Sequence, residues 1–144
     1  MAYTITITNW QAHREPLRRI RDQVFIQEQQ VPVADEWDDK DDTAIHFLAN
    51  NAEGDPIGCA RLLVEESALH IGRVAVLADY RQQGVGRQLM QYVLAWCKQK
   101  NPAFNVYLHA QTSRKTFYEH LGFAAQGDIF MEAGIAHIEM WYQN

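Results

Sequence analysis

The chain has 144 residues, 47% of them hydrophobic and 22% charged, which suits one globular domain with a real core and leaves too little chain for two. Its 18 acidic residues outnumber 13 Lys and Arg, and a net charge of -5 argues against a nucleic-acid-binding surface. No apolar run approaches the ~18 residues of a membrane span and no N-terminal signal pattern appears, so the expectation is a soluble, cytoplasmic protein with no membrane partner.

Tyr3 to Thr8 alternates Tyr-Thr-Ile-Thr-Ile-Thr, a strand pattern. A helix is predicted from about Glu15-Pro16, because proline suits a first helical turn; Leu17, Ile20, Val24 and Phe25 form its apolar stripe, and Pro32 stops it by Gln30. Asp35-Glu36-Trp37-Asp38-Asp39-Lys40-Asp41-Asp42 holds six carboxylates in eight residues. Such a segment is not expected in a core, so it reads as a surface loop or short helix, either simply solvated or a patch that steers a cationic substrate. Ala44 to Ala49, Ile57 to Val64 and Ala68 to Leu77 read as three antiparallel strands joined by tight turns. Gly72 in the third is a candidate bulge, which would leave backbone groups open to a ligand that pairs like a strand. A helix from Gly84 to about Gln99, a strand from Phe104 to Ala110, and a helix capped by Thr112 or Ser113 and ended by Gly122 come next. Two strands, Ala124 to Met131 and Ile135 to Tyr142, close the chain around a turn at Glu132-Ala133-Gly134. The order β-α-β-β-β-α-β-α-β-β predicts an α+β fold with one mixed sheet of about seven strands and about four helices, a single domain over residues 1–144.

The chemistry concentrates in Ile71 to Met90. A β-branched run ends in Arg81-Gln82-Gln83-Gly84-Val85-Gly86-Arg87, after which a helix opens with Val85, Leu89, Val93 and Trp96 on one face. The unpaired N–H groups of a first helical turn and the helix dipole make an anion site. Gly84 and Gly86 let a phosphate approach the backbone, and Arg81 and Arg87 add charge. The spacing is neither a Walker A loop, since Arg87-Gln88 follows Gly86, nor a G-x-G-x-x-G dinucleotide turn.

Arg73-Val74-Ala75-Val76, Tyr80-Arg81 and Gly84-Val85-Gly86 closely resemble the acyl-CoA-binding motif of the GCN5-related N-acetyltransferases. Phe117-Tyr118-Glu119-His120-Leu121-Gly122-Phe123, at the right distance downstream, looks like the second motif of the same family. Val24-Phe25, Glu28-Gln29, Val31-Pro32, His46, Leu108 to Gln111 and Glu132-Ala133-Gly134-Ile135 with His137-Ile138 and Met140 resemble its small bacterial ElaA-like and YjcF-like subgroup. The chain departs from the family where Gln111 and Arg114 stand in place of an Asn and an Ala, and no carboxylate occurs on the strand from Leu69 to Leu77.

The resemblance implies transfer of an acetyl group from acetyl-CoA to a primary amine of a small molecule, peptide or protein by direct attack. Arg81, Gln82, Gln83, Gly84, Val85, Gly86 and Arg87 would hold the pyrophosphate, and backbone groups of Val74, Ala75 and Val76 the pantetheine arm. Ser113 or Gln111 would replace the missing Asn. Tyr118 would give the leaving thiolate its proton, since a phenol with a reference pKa near 10 is protonated at neutral pH. His109, Glu28, His46 and Glu36 are candidates for the base that deprotonates the amine, as is a water chain. Glu36, Trp37 and Asp38 are candidates for binding a cationic acceptor. A monomer and a homodimer are both open. The alternative in another class is a CoA-binding sensor with this fold and no turnover. The six histidines are scattered without ligand spacing, so no metal is expected. Cys59 and Cys97 lie far apart in apolar patterns and read as buried free thiols.

Overall fold

The computed structural model describes residues 3–143. Its strands are β1 Tyr3–Thr8, β2 Ile45–Asn51, β3 Pro56–Val64, β4 Ala68–Val76, β5 Asn105–Gln111, β6 Phe123–Glu132 and β7 Ile135–Tyr142, and its helices α1 Trp10–Arg21, α2 Val33–Glu36, α3 Val85–Lys100 and α4 Lys115–His120. The strands form one sheet in the order β1-β2-β3-β4-β5-β7-β6. All neighbours are antiparallel except β4 and β5, which run parallel. The expected mixed seven-stranded sheet is therefore present. No described helix is long and apolar enough to cross a membrane.

The sheet is buried on both faces near its middle. Phe47 and Ala49 of β2 enter one apolar cluster with Val85, Leu89, Met90 and Val93 of α3. Leu48, between them, enters the opposite cluster with Leu17 and Ile20 of α1. That is the two-residue alternation of a strand with helices on both sides.

α1 begins earlier than Glu15-Pro16. The Asn9 side chain accepts from the Ala12 N–H at 2.8 Å and caps a first turn at Trp10. The backbone then breaks at His13 (φ -134°, ψ 31°), so Pro16 falls in the first turn of the restarted helix, where a missing N–H is tolerated. Beyond Arg21 the helix widens into π-helical turns over Asp22–Glu28, with the Gln29 N–H donating to Val24 O.

β4 carries the feature that shapes the molecule. It pairs with β5 only from Ala68–Asn105 to Ile71–Leu108, after which the two strands part. On its other side β4 is bulged: Gly72 faces Arg61 and Ala75 faces Cys59, so Arg73 and Val74 oppose Ala60 alone. The bulge lies just beyond Gly72, and Arg73 rather than the glycine takes the left-handed conformation (φ 52°). β5 continues beside β7 as far as Gln111. The parting opens a gap in the sheet whose β4 wall presents unpaired backbone.

Candidate functional site

The gap is part of a cleft of about 850 Å³ that runs from the loop before α3, between β4 and β5, to the face of the sheet beside α2. At the loop end, Gly84 is the residue before α3 at φ 84°, a conformation that favours glycine, and only the Tyr3 hydroxyl comes within 4.0 Å of where a Cβ would stand. No side chain caps α3, and the Gln88 N–H donates to Gly84 O, so the N–H groups of Val85, Gly86 and Arg87 have no partner within the helix. Gln82, Gly84, Gly86 and Arg87 line the cleft, whereas Gln83 is exposed and bonds back to Asp79 O. Arg81 is already engaged. Its Nε donates to Val76 O at 2.8 Å, and Nη1 and Nη2 donate to the two oxygens of Glu28 at 2.9 Å each. Arg87 makes no ion pair with another described residue and is the more available cation.

In the middle of the cleft, Val74, Ala75 and Val76 face Leu108, Gln111 and Tyr118. Tyr118 is 9% exposed, and its hydroxyl makes no hydrogen bond to another described residue. Burial pushes this phenol up to about 12, offset in part by the nearby Arg114 charge, so it is a proton donor throughout the neutral range. Gln111 Nε2 donates to Gln29 Oε1 at 2.8 Å, joining β5 to the end of the π-helical segment. Ser113 is exposed and absent from the cleft wall, where Gln111, Arg114 and Phe117 stand instead. Neither Thr112 nor Ser113 caps α4.

The acidic stretch is only in part the expected solvated segment: Asp35, Asp39 and Asp42 are exposed, but Glu36 and Asp41 are not. Glu36 and Asp41 are 3% and 6% exposed. Arg21, itself 1% exposed, donates to Glu36 and Asp41 at 2.7 Å each. Arg61 reaches Asp38 at 2.8 and 2.9 Å, and Arg73 reaches Glu36 at 3.1 Å and Asp38 at 3.2 Å. Three guanidiniums from α1, β3 and β4 thus neutralise Glu36, Asp38 and Asp41, and burial becomes affordable. Although burial alone would raise the Asp38 and Asp41 carboxyls, these arginines hold both below the usual carboxylate range. Glu36 and Asp38 line the cleft, but as partners of arginine; Trp37 does not line it and lies under the guanidiniums of Arg18 and Arg21 at 4.5 and 4.9 Å. Arg61 Nε is buried and has no partner among the described residues.

The base candidates separate clearly. His46 is 1% exposed on β2, outside the cleft lining, with Nε2 donating to Asp41 O at 3.0 Å; burial lowers its pKa. Glu28 is the anchor of Arg81 and is also absent from the lining. His109 lines the cleft, but Nδ1 lies 3.3 Å from Glu132 and Nε2 lies 3.2 Å from Glu139. The Glu132 hydrogen bond, against the effect of burial, raises its pKa. Beside it His70 is pushed down to about 4, by burial first and the His109 charge second.

Sequence reasoning passed over Glu132 and His137 as functional groups. Both line the cleft, brought there by the β6–β7 hairpin, whose turn has Ala133 and Gly134 at positive φ. The signal was strand parity: His137, Glu139 and Trp141 share one face of β7, opposite Ile138 and Met140 in the core. Cys59 and Cys97 are buried thiols pushed up to about 12 and about 11 by desolvation, which leaves them unreactive.

The family model for the acetyltransferase (GNAT) domain matches residues 15–143. The chain is 35% identical over 128 residues to protein ElaA of Escherichia coli, covering 86% of this chain and 83% of that one. It is 30% identical over 122 residues to the uncharacterized N-acetyltransferase YjcF of Bacillus subtilis, covering 84% and 86%. Among solved structures, E. coli ElaA superposes with a TM-score of 0.89 at 29% identity over 99% of this chain and all of that one (100%). An acyl-CoA N-acyltransferase of Pseudomonas aeruginosa gives 0.88 at 29% identity, with the same coverage, 99% and 100%. The cleft between parted parallel strands, with a helix N-terminus at one end and a tyrosine in its wall, thus occurs in a chain that belongs to the GCN5-related N-acetyltransferase family, alongside the ElaA-like and YjcF-like proteins.

Proposed function

We propose that this protein moves an acetyl group from acetyl-CoA to a primary amine. One observation carries the reading: a buried tyrosine with a partnerless hydroxyl stands in the same cleft as unpaired β4 backbone and an uncapped α3 N-terminus. The residues suit such a donor. The first-turn N–H groups of α3, with Arg87 and Arg114 beside them, fit a pyrophosphate. Val74 to Val76 offer the open strand edge that an amide-bearing arm pairs with, and Phe117 packs beside Gly86, with Cζ 3.6 Å from where a Cβ would stand.

Acetyl-CoA supplies the activated acetyl thioester. Everything else falls to the chain. Backbone N–H groups at the Arg73–Val74 bulge are placed to stabilise charge on the acyl oxygen. The Tyr118 hydroxyl is placed to protonate the departing sulfur. The β6–β7 turn borders the cleft, with Ala133 and Ile135 packed against the α1 cluster. The acceptor enters at the sheet face beside His109, Glu132 and His137. Because arginines neutralise Glu36, Asp38 and Asp41, the cleft-lining carboxylates left to attract a positively charged amine are Asp35 and Glu132.

Calorimetric titration with acetyl-CoA tests the reading, followed by an assay of CoA release over a panel of primary amines. Micromolar binding by the wild type, lost in Gly84→Trp and weakened in Arg87→Ala, is the expected result. No binding by the folded wild type refutes it; binding with no turnover on any amine favours a CoA sensor instead.

A further inference from the structure

We infer that His137, and not His109, takes the proton from the acceptor amine, while the Glu132 carboxylate holds that amine in place. The inference rests on the acyl-transfer reading and assigns the base within it. Three geometric facts support it.

The first concerns His137 itself. Its Nδ1 lies 2.7 Å from the carbonyl oxygen of Ile135. A carbonyl only accepts, so Nδ1 carries the hydrogen, and in the neutral ring Nε2 presents a lone pair. The residue is 7% exposed and lines the cleft, so that lone pair is available to a molecule held there.

The second is the spacing to Glu132. Nε2 of His137 and Oε2 of Glu132 are 3.9 Å apart, too far for a direct hydrogen bond. An ammonium nitrogen can therefore sit against both, giving one N–H to the carboxylate and one to the imidazole.

The third removes the competitor. Both ring nitrogens of His109 face carboxylates, Glu132 at 3.3 Å and Glu139 at 3.2 Å. A ring donating from both nitrogens has no lone pair to offer. His109 acts instead as a positioning residue, fixing the Glu132 carboxylate through its free oxygen. The titratable and charged groups around His137 are Glu132 from β6, His109 from β5, Glu139 along β7 and Arg73 of β4, whose charge is felt at Glu132.

The protons balance. The bound ammonium gives one proton to His137 Nε2, and the free amine forms the C–N bond as the C–S bond breaks. Tyr118 gives its proton to the leaving sulfur and recovers one from the new amide nitrogen. His137 returns its proton to solvent, so each turnover releases one.

Two measurements decide the matter. Long-range ¹H–¹⁵N imidazole spectra of the full chain, recorded from about pH 6 to about pH 9, should show neutral His137 as the Nδ1–H tautomer and His109 keeping both ring protons above the ordinary histidine range. A neutral His137 ring protonated at Nε2, or a His109 ring that gives up a proton below the ordinary histidine range, overturns the inference without any acceptor being known. In the second, His137→Gln should bind acetyl-CoA within about threefold of wild type but lose about 10²- to 10⁴-fold in kcat with alkylamines, and with it the rise of rate with pH. Hydroxylamine, largely unprotonated at neutral pH, should restore much of that loss. His109→Gln should slow the reaction yet keep the pH-dependent rise. Retention of that rise in His137→Gln, with donor binding and turnover intact, refutes this base alone, whereas absence of donor binding in the wild type refutes the underlying acyl-transfer reading.

Discussion

Glu28 and Arg81 are 53 positions apart and meet in a two-pronged ion pair, each oxygen of the carboxylate accepting from one Nη at 2.9 Å. The pair ties the end of the first helical segment to the loop that precedes α3, and Arg81 Nε ties the same side chain to Val76 O. Glu28 thereby holds the loop, and we expect it to take no part in proton transfer. Glu28→Gln is expected to change kcat less than tenfold and leave the pH–rate profile in place, while a general base would cost about 10²- to 10⁴-fold. Its effect should appear as a few-fold change in acetyl-CoA affinity by calorimetry. Stability should fall by no more than about 1 kcal/mol, because the pair is partly exposed.

Tyr118→Phe removes the hydroxyl and leaves the packing of the ring against Phe117 and Phe123. The variant should fold and bind acetyl-CoA like wild type, yet lose about 10²-fold or more in kcat. Because the phenol titrates near 12, no loss of rate attributable to it should appear between about pH 6 and about pH 9.

Arg21 does not line the cleft and reaches it only through Glu36, so its replacement reports first on folding. Arg21→Met strands the buried carboxylates of Glu36 and Asp41 and should destabilise by about 3–5 kcal/mol, lowering Tm by roughly 6–20 °C. Thermal unfolding followed by circular dichroism checks this. Smaller losses would mean that Arg61 and Arg73 suffice.

Acid should act on the same cluster. The folded pKa values of Asp38 and Asp41 lie below the ordinary carboxylate value, so the unfolded chain binds their protons more tightly. The stability they contribute is complete above about pH 4 and is lost as pH falls through the depressed folded values. Urea unfolding at stepped pH should therefore show a steep decline on the acid side, made shallower by Asp38→Asn.

What could be read in the sequence was what is local. Alternation in Tyr3 to Thr8, the glycine-bearing turn at Gly84 and the positive-φ stop at Gly122 each depend on neighbours a few residues away, and they yielded the strands, the loop and the end of α4. Gly122 is doubly required, since a Cβ there would stand 3.1 Å from Cε1 of Tyr142. The acidic stretch misled because its burial depends on Arg21, Arg61 and Arg73, which the fold gathers from three distant elements. Pro16 placed the helix start too late because the break at His13, which separates the turn capped by Asn9 from the helix that holds Pro16, has no signature of its own. The surroundings of the histidines were hidden for a related reason. Parity tells which face of β5 or β7 a ring takes, but not that Glu132 and Glu139 will bracket His109 and leave His137 a free nitrogen.

The short β4–β5 pairing has a mechanical consequence. Four residue pairs join β1-β2-β3-β4 to β5-β7-β6, so the sheet is two stiff plates welded along a short seam. Opening the plates about that seam breaks fewer strand pairings than opening either plate within itself, and a ligand lying along Val74 to Val76 would act as a splint. Amide exchange in those residues and in His109 to Gln111 should then slow together when the gap is filled, while the β1–β2 hydrogen bonds are unaffected.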